Sequence, residues 1–354
     1  MIEGKEAMPD DNRPVTLATV AEAVGVHVST VSRVLRSGRT RTEIGARIIQ
    51  VADDLAYTPH PAATALRTRN SKLIGVLLPR LTDFVPAQIY EGIDDAACDA
   101  GYTTVVAKSG DEPLRRMGRL KALLALRVDG VILCDARVRD DQVIEELTRR
   151  NVPYVLACRR VRGNVSATTN DLRGGALAAK HLIELGHERI GVVAGPQCVS
   201  TGLERLQGFT TELKRHGLSL PDQLVIPSNF DVNAGLDSAR HLLANESNLT
   251  AIFAANDEAA VGVMGALREH GLRPGTDVAV VGYNDVPFSA HLQVPLTSIA
   301  SPLYEVGKAA ASMLVRKLRG DNEVRSVRLQ PHLVARESTR RLEASSPHPE
   351  VIAL

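Results

Sequence analysis

From Leu73 onward the chain alternates short, unbroken apolar runs with amphipathic stretches, and it does so in two series. The first series is LIGVLLP, TTVVAK, GVILC and PYVLAC, with helical stretches such as AQIYEGIDDAACDAG and DDQVIEELTRRN between them. A strand that is apolar on both faces must be covered on both faces, and parallel neighbours need a long crossover, which a helix supplies. After Gly163 the pattern restarts with SATTN, RIGVVAG, QLVIPS, AIFAAN and VAVVGYN. Two such series predict two Rossmann-like lobes with a cleft between them, where a ligand sits beyond the carboxyl ends of the strands.

The remaining properties bound what the lobes serve. At 354 residues the chain is expected to hold two or three domains. Its 44% apolar and 23% charged residues are ordinary for a soluble protein. The net charge is only +1, yet Arg13 to Arg69 carries eight Arg and no Lys against four acids. A basic block on a near-neutral body points to nucleic acid at one end only. Cys98, Cys134, Cys158 and Cys198 form no C-x-x-C pair, which argues against zinc ribbons and fits a reducing compartment. The polar start MIEGKEAMPDDNRP has no apolar signal region, and no run reaches the ~18 apolar residues of a membrane span. A cytoplasmic protein without membrane contact is expected.

Within the basic block, VTLATVAEAVGVHVSTVSRVL reads as two short helices about a turn at Gly25, with a third helix following. The spans are Leu17–Val24, Val28–Arg36 and Glu43–Ala56. Thr16 caps the first helix, and Leu17, Val20, Ala21 and Val24 line its inner face. The second helix turns Val31 and Val34 inward and leaves Val28, Ser29, Ser32 and Arg33 outward, a set of side chains suited to a major groove. A helical hairpin that binds nothing fits the spacing equally well.

The same stretch strongly resembles the headpiece of the lactose/galactose repressor family, T-x-x-x-V-A-x-x-A-G-V-S-x-x-T-V-S-R-V. Thr16, Val20, Ala21, Gly25, Val26, Thr30, Val31, Ser32, Arg33 and Val34 match it. The resemblance implies DNA-binding positions at Thr16, Val28, Ser29, Thr30 and Arg33, with Val28, Ser29 and Arg33 facing base edges. His27 stands where the family has a capping Ser, Val24 where it has Ala, and Ile44-Gly45 where it has Thr-Arg. Gly45 inside a helix is expected to cost about 1 kcal/mol and to remove a phosphate contact. YTPHPAATALRTRNSKLIGVLLP is similar to the family's hinge and first core strand. On that match Ala63 and Leu66 share one face of a short helix, and two Leu66 side chains of a dimer wedge into a minor-groove step.

The resemblance continues to about Arg340 through LGHERIGVVAGP, TGLERLQGF, AIFAANDEAAVG, VAVVGYNDVPFS and PLTSIASP. It implies a core similar to periplasmic sugar-binding proteins, with effector-binding positions at Thr201, Arg205, Phe230, Asn256, Asn284 and Cys158. Arg205 would clamp hydroxyls or carboxylates, and Phe230 would cover the ligand. Asn284 stands where most relatives have Asp, Cys158 where an effector-binding Asp is common, and Val85-Pro86 where aromatics are frequent. Arg80, Arg137 and Arg159 are placed either in the cleft, favouring an anionic ligand, or on the solvated surface, the second being preferred.

The expected architecture is α/β, a helix-turn-helix headpiece plus a two-lobed Rossmann-like, periplasmic-binding-protein-like core. Its segments are 1–14 disordered, 15–58 DNA-binding and 59–72 hinge. The first lobe is 73–162 with about 295–324 returning, the second 163–294 with about 325–340, and 341–354 is a flexible tail. The implied function is a transcriptional regulator, expected to be a repressor, whose affinity for a pseudo-palindromic DNA operator is set by a small effector, a sugar or related metabolite. A homodimer, no cofactor and no metal are expected. No heptad follows Arg340 to build a tetramer. Catalysis is disfavoured because no P-loop, G-x-S-x-G or H-E-x-x-H stands out, and Asp257 and Asp285 are read as helix caps. A solute-binding role is disfavoured by the helix-turn-helix.

Overall fold

The computed structural model describes residues 15–37, 42–57, 70–139, 141–246 and 248–339. The expected hinge residues Ala63 and Leu66, the first 14 residues and the tail from 340 lie outside that set. The chain divides into two units, one ending at Ser71 and one beginning at Lys72.

The first unit is three helices, α1 (Leu17–Val24), α2 (Val28–Ser37) and α3 (Glu43–Asp54). Thr16 and Thr19 cap α1 reciprocally, each side chain accepting the other's backbone N–H. Gly25, at φ 75°, makes the left-handed turn that ends α1, a conformation open to Gly without a Cβ penalty. Val20, Val31 and Ile48 are fully buried and meet Ala21 and Ala52, while Leu17, Val24 and Val34 are half-buried around them. Each large side chain contributes about 1.5–3 kcal/mol by burial, so each is a large share of so small a core. Gly45 falls in the first turn of α3, where Thr42 accepts its N–H. The interior-helix cost expected for it therefore overstates its position.

The second unit holds two six-stranded sheets. The first contains β1 (Leu73–Leu78), β2 (Thr103–Lys108), β3 (Gly130–Leu133), β4 (Tyr154–Ala157), β5 (Ser166–Thr169) and, from far along the chain, β11 (Val327–Leu329). Its order is β11–β5–β4–β3–β1–β2, all parallel. The second contains β6 (Ile190–Ala194), β7 (Val225–Pro227), β8 (Ala251–Ala254), β9 (Ala279–Asn284), β10 (Thr297–Ala300) and β12 (His332–Val334). Its order is β12–β10–β9–β8–β6–β7, with β12 antiparallel at the edge.

The expected lobe boundaries need correction. Ser166–Thr169 pairs with β4, so the first lobe runs past Arg162. Thr297–Ala300 pairs with β9 and stays in the second lobe. β11 returns to the first sheet and β12 to the second, so 325–340 is shared. The chain thus crosses between lobes three times. These strands are three or four residues long, too short for hydrophobicity to say which sheet edge completes them.

Helices cover the sheets and pack on one another through glycines. In the first lobe α4 (Phe84–Asp99) crosses α11 (Leu303–Leu318), where a Cβ on Gly92 would lie 2.0 Å from the Tyr304 carbonyl oxygen. Reciprocally, one on Gly307 would lie 2.0 Å from that of Ile89. In the second lobe α7 (Asp171–Glu184) and α8 (Ser200–Arg215) meet the same way through Gly175 and Gly208. So do α9 (Val232–Asn245) and α10 (Asp257–Glu269) through Gly235 and Gly262. α5 (Pro113–Ala125) and α6 (Gln142–Arg149) complete the first lobe. They are tied by the buried Arg116, whose guanidinium donates to Asp135 (3.0 Å) and to Asp141 (3.0 Å), the cap of α6.

Candidate functional site

Between the lobes lies a cleft of about 380 Å³, within the usual range for small-molecule sites. It is lined by the ends of β1, β3 and β4 on one side and of β6, β8 and β9 on the other, as open α/β sheets require. The lobes touch at its edges. Val138 N–H donates to the Cys198 carbonyl at 3.0 Å, Arg160 N–H to the Ser200 hydroxyl at 2.8 Å, and the Phe84 and Phe288 rings meet edge to face at 5.4 Å.

Thr201, Arg205, Phe230, Asn256, Asn284 and Cys158, scattered over 127 positions of sequence, all line this cleft. Arg205 is buried on α8, its Nε donating to Asp171 (2.8 Å), Nη1 to the Ala255 carbonyl (2.6 Å) and Nη2 to Asn284 Oδ1 (3.2 Å). Tyr283 stacks under its guanidinium at 3.8 Å, and the Phe230 ring lies 5.7 Å away. Burial disfavours the Arg205 charge, but Asp171 and the surrounding acceptors outweigh it, so its pKa is raised and the cation is held. Each of its three nitrogens thus holds a partner, which fixes the guanidinium in the lining of the cleft.

Asn256 lines the cleft and also holds its wall together. Its Oδ1 caps α10 through the Ala259 N–H, and its Nδ2 donates to the Phe230 carbonyl (2.8 Å) and to Glu258 (2.7 Å). It thereby fixes Phe230. The backbone there is strained: Asp111, Cys158, Phe230 and Asn284, four of the nine described non-glycine residues at positive φ, line the cleft. Each such residue costs on the order of 1–3 kcal/mol and persists where its surroundings impose it.

The arginines depart from the surface placement preferred for them, because Arg80, Arg137 and Arg159 all line the cleft. Arg159 is 7% exposed and forms a two-bond fork with Asp111 (2.6 and 3.0 Å). Burial pushes the Asp111 carboxyl up, and the Arg159 fork outweighs it, leaving its pKa below the ordinary value. Glu258 and Asp83 line the cleft without any sequence signal having marked them. Burial raises both carboxyls, and Glu258 Oε1 is buried with no hydrogen-bond partner among the described residues. Asp257 and Asp285 are outside the lining. Asp257 does not cap α10, since Asn256 does; it accepts from Val286 N–H and the Ser289 and Ser298 hydroxyls. Asp285 pairs with Arg336.

On the other unit, Ser29 and Arg33 are exposed on α2, Val28 is 38% exposed and Thr30 half-buried. His27 performs the capping expected of a Ser: its Nδ1 accepts the Ser29 N–H at 3.3 Å and sits 2.7 Å from the Ser29 hydroxyl.

A family model described as bacterial regulatory proteins, lacI family, matches residues 16–60, and one described as a periplasmic binding protein-like domain matches 179–339. The ribose operon repressor of Escherichia coli K12 is 33% identical over 331 residues, 91% of this chain and 99% of that protein. The chain belongs to the lacI family of bacterial regulatory proteins. The PurR repressor of Photobacterium profundum is 29% identical over 92% of the chain and 99% of its own length. The lac repressor dimer bound to operator and the anti-inducer ONPF superposes with a TM-score of 0.83 at 29% identity, covering 93% of this chain and all of that one. This lacI-family regulator is thus a DNA-binding transcription factor with an effector core, rather than an enzyme. None of its described helices is long and apolar enough to cross a membrane.

Proposed function

We propose that this protein is a homodimeric cytoplasmic repressor whose hold on its operator is set by a small metabolite in the inter-lobe cleft. The observation that carries the reading is Arg205, buried in the lining of that cleft and held there by Asp171, the Ala255 carbonyl and Asn284. Its relatives include ribose operon repressors and a regulator solved as a cellobiose complex, which supports a sugar or kindred effector. Val28, Ser29, Thr30 and Arg33 present the reading surface of α2, with Thr16 at the start of α1 beside the backbone. Leu66 is assigned the minor-groove wedge, and Ala63 the neighbouring operator contact.

Operator titration of the full chain, with and without a panel of pentoses and hexoses, tests this. An effector should shift operator affinity about 5- to 150-fold, a coupling of about 1–3 kcal/mol. Arg205→Lys keeps the charge beside Asp171 but loses the planar fork. It should abolish the ligand shift; a variant with the parent's full shift removes Arg205 from the site. Arg33→Ala should relax discrimination at one base pair per half-site, about 1–3 kcal/mol, and unchanged selectivity in competition would rule that role out.

A further inference from the structure

The start of α2 holds two hydrogen bonds whose hydrogens can be assigned. His27, Val28 and Ser29 are all exposed there. The Ser29 N–H donates to His27 Nδ1 at 3.3 Å, and the Ser29 hydroxyl lies 2.7 Å from the same nitrogen. A ring nitrogen that accepts an N–H carries no hydrogen of its own, so the neutral imidazole bears its proton on Nε2. With the proton on Nδ1 instead, two N–H groups would face each other and the helix would lose its cap.

Ser29 Oγ is therefore the donor in the 2.7 Å contact. A hydroxyl has one hydrogen and two lone pairs, and once the hydrogen is given to His27 only lone pairs are left for anything else. Base edges in the major groove differ in what they ask of such a group. Adenine N6 and cytosine N4 are amino donors, whereas guanine O6 and N7 and thymine O4 are acceptors. A serine ordinarily serves either kind. Here, donating to a base requires the hydroxyl to leave Nδ1, in an interface where that lost partner is not freely replaced by water.

We infer that His27 is a positioning residue that fixes Ser29 as a hydrogen-bond acceptor, so that α2 reads the exocyclic amino group of adenine or cytosine at the base pair Ser29 faces. A capping Ser in place of His27 sets no such polarity, because a hydroxyl both gives and takes a hydrogen. The inference rests on the reading in which Ser29 faces a base edge.

The test begins with operators selected by the full chain from a randomised palindromic duplex library. The pair that Ser29 reads is the one at which Ser29→Ala loses selectivity. Single groups are then changed at that pair. Purine for adenine, or 2-pyrimidinone for cytosine, deletes the amino group; 4-thiothymine for thymine, or 6-thioguanine for guanine, weakens the carbonyl acceptor. Each duplex is titrated with the parent and with Ser29→Ala, so that changes in the duplex itself cancel. Deleting the amino group should cost the parent about 3- to 10-fold more affinity than it costs Ser29→Ala, as one hydrogen bond does. The thio bases should cost both proteins the same. His27→Ser keeps a capping hydroxyl and should shrink the parent's excess loss to less than about 2-fold. A role in capping alone would change affinity for every duplex by one factor and leave that excess in place. A parent whose excess appears on the thio base, or on neither change, overturns the inference, as does His27→Ser with the parent's full excess. Ser29→Ala with the parent's selectivity at every pair, or a library that yields no operator, overturns the base-reading role of Ser29 and the inference with it.

Discussion

The two lobes share a sheet plan and differ in how they treat buried charge. In each, the central strands run in the order of a doubly wound sheet, and helices close over them through reciprocal glycines. The first lobe neutralises its interior acids with arginine: Asp135 and Asp141 hold Arg116, and Asp111 holds Arg159. The second lobe pairs Asp171 with Arg205 in the same way, but buries Asp257 among neutral donors alone. The same fold thus holds some buried acids by a guanidinium and another by two hydroxyls and a backbone N–H.

Breaking the first lobe's network should have the largest effect on stability. Arg116→Met leaves two buried carboxylates without their cation, and removing one partner of such a cluster costs about 3–5 kcal/mol. Calorimetry should show a large fall in Tm, and a Tm near that of the parent would mean the network is not what holds α5 to α6. Next come the helix crossings. Gly92→Ala and Gly175→Ala each drive a methyl to 2.0 Å from a carbonyl oxygen, an overpacking cost of about 1–3 kcal/mol or more. They should separate functionally. Gly175 abuts the Arg205 backbone, so its variant should weaken effector binding as well, and Gly92→Ala should not. Equal binding by both would erase the difference drawn between the lobes.

The smallest effect is in pH dependence. Burial pushes Asp257 from 3.8 to about 7, against the hydrogen bonds from Ser298, Val286 and Ser289. Because the folded-state pKa is the higher one, its contribution is complete below the unfolded value and is lost as pH rises toward 7. Asp257→Asn can keep all three bonds, its Nδ2 donating to the Ser298 hydroxyl. Denaturation between pH 4 and 7 should therefore show the parent losing stability relative to this variant. Parallel profiles would show that Asp257 does not titrate in that window.

Much of this was legible because it is periodic or local. The three headpiece helices, the Thr16 cap and the Gly25 turn follow from spacing and from single-residue backbone preferences. That Arg205 and Phe230 come to the cleft was legible through the family pattern around them. The substitution of His27 was visible too, but not that a ring nitrogen would take over the hydroxyl's capping role. Asp83 and Glu258 carried no signal, since an acid at a helix start looks the same whether it faces solvent or a cleft. That Asn256 also holds Phe230 in place carried no signal, because the two residues are 26 positions apart.

The sequence by itself determined the alternation of strand and helix, the helix-turn-helix and the strand ends at which the cleft opens, because each depends on residues a few positions apart. Tertiary structure decided the rest. Strands of three or four residues choose a sheet by whichever edge still lacks hydrogen bonds, so the crossings after β5, β10 and β11 were settled only by the assembled core. How an arginine of the cleft is oriented depends on carboxylates far along the chain. Asp111 holds Arg159 from 48 positions away, and Asp171 holds Arg205 from 34.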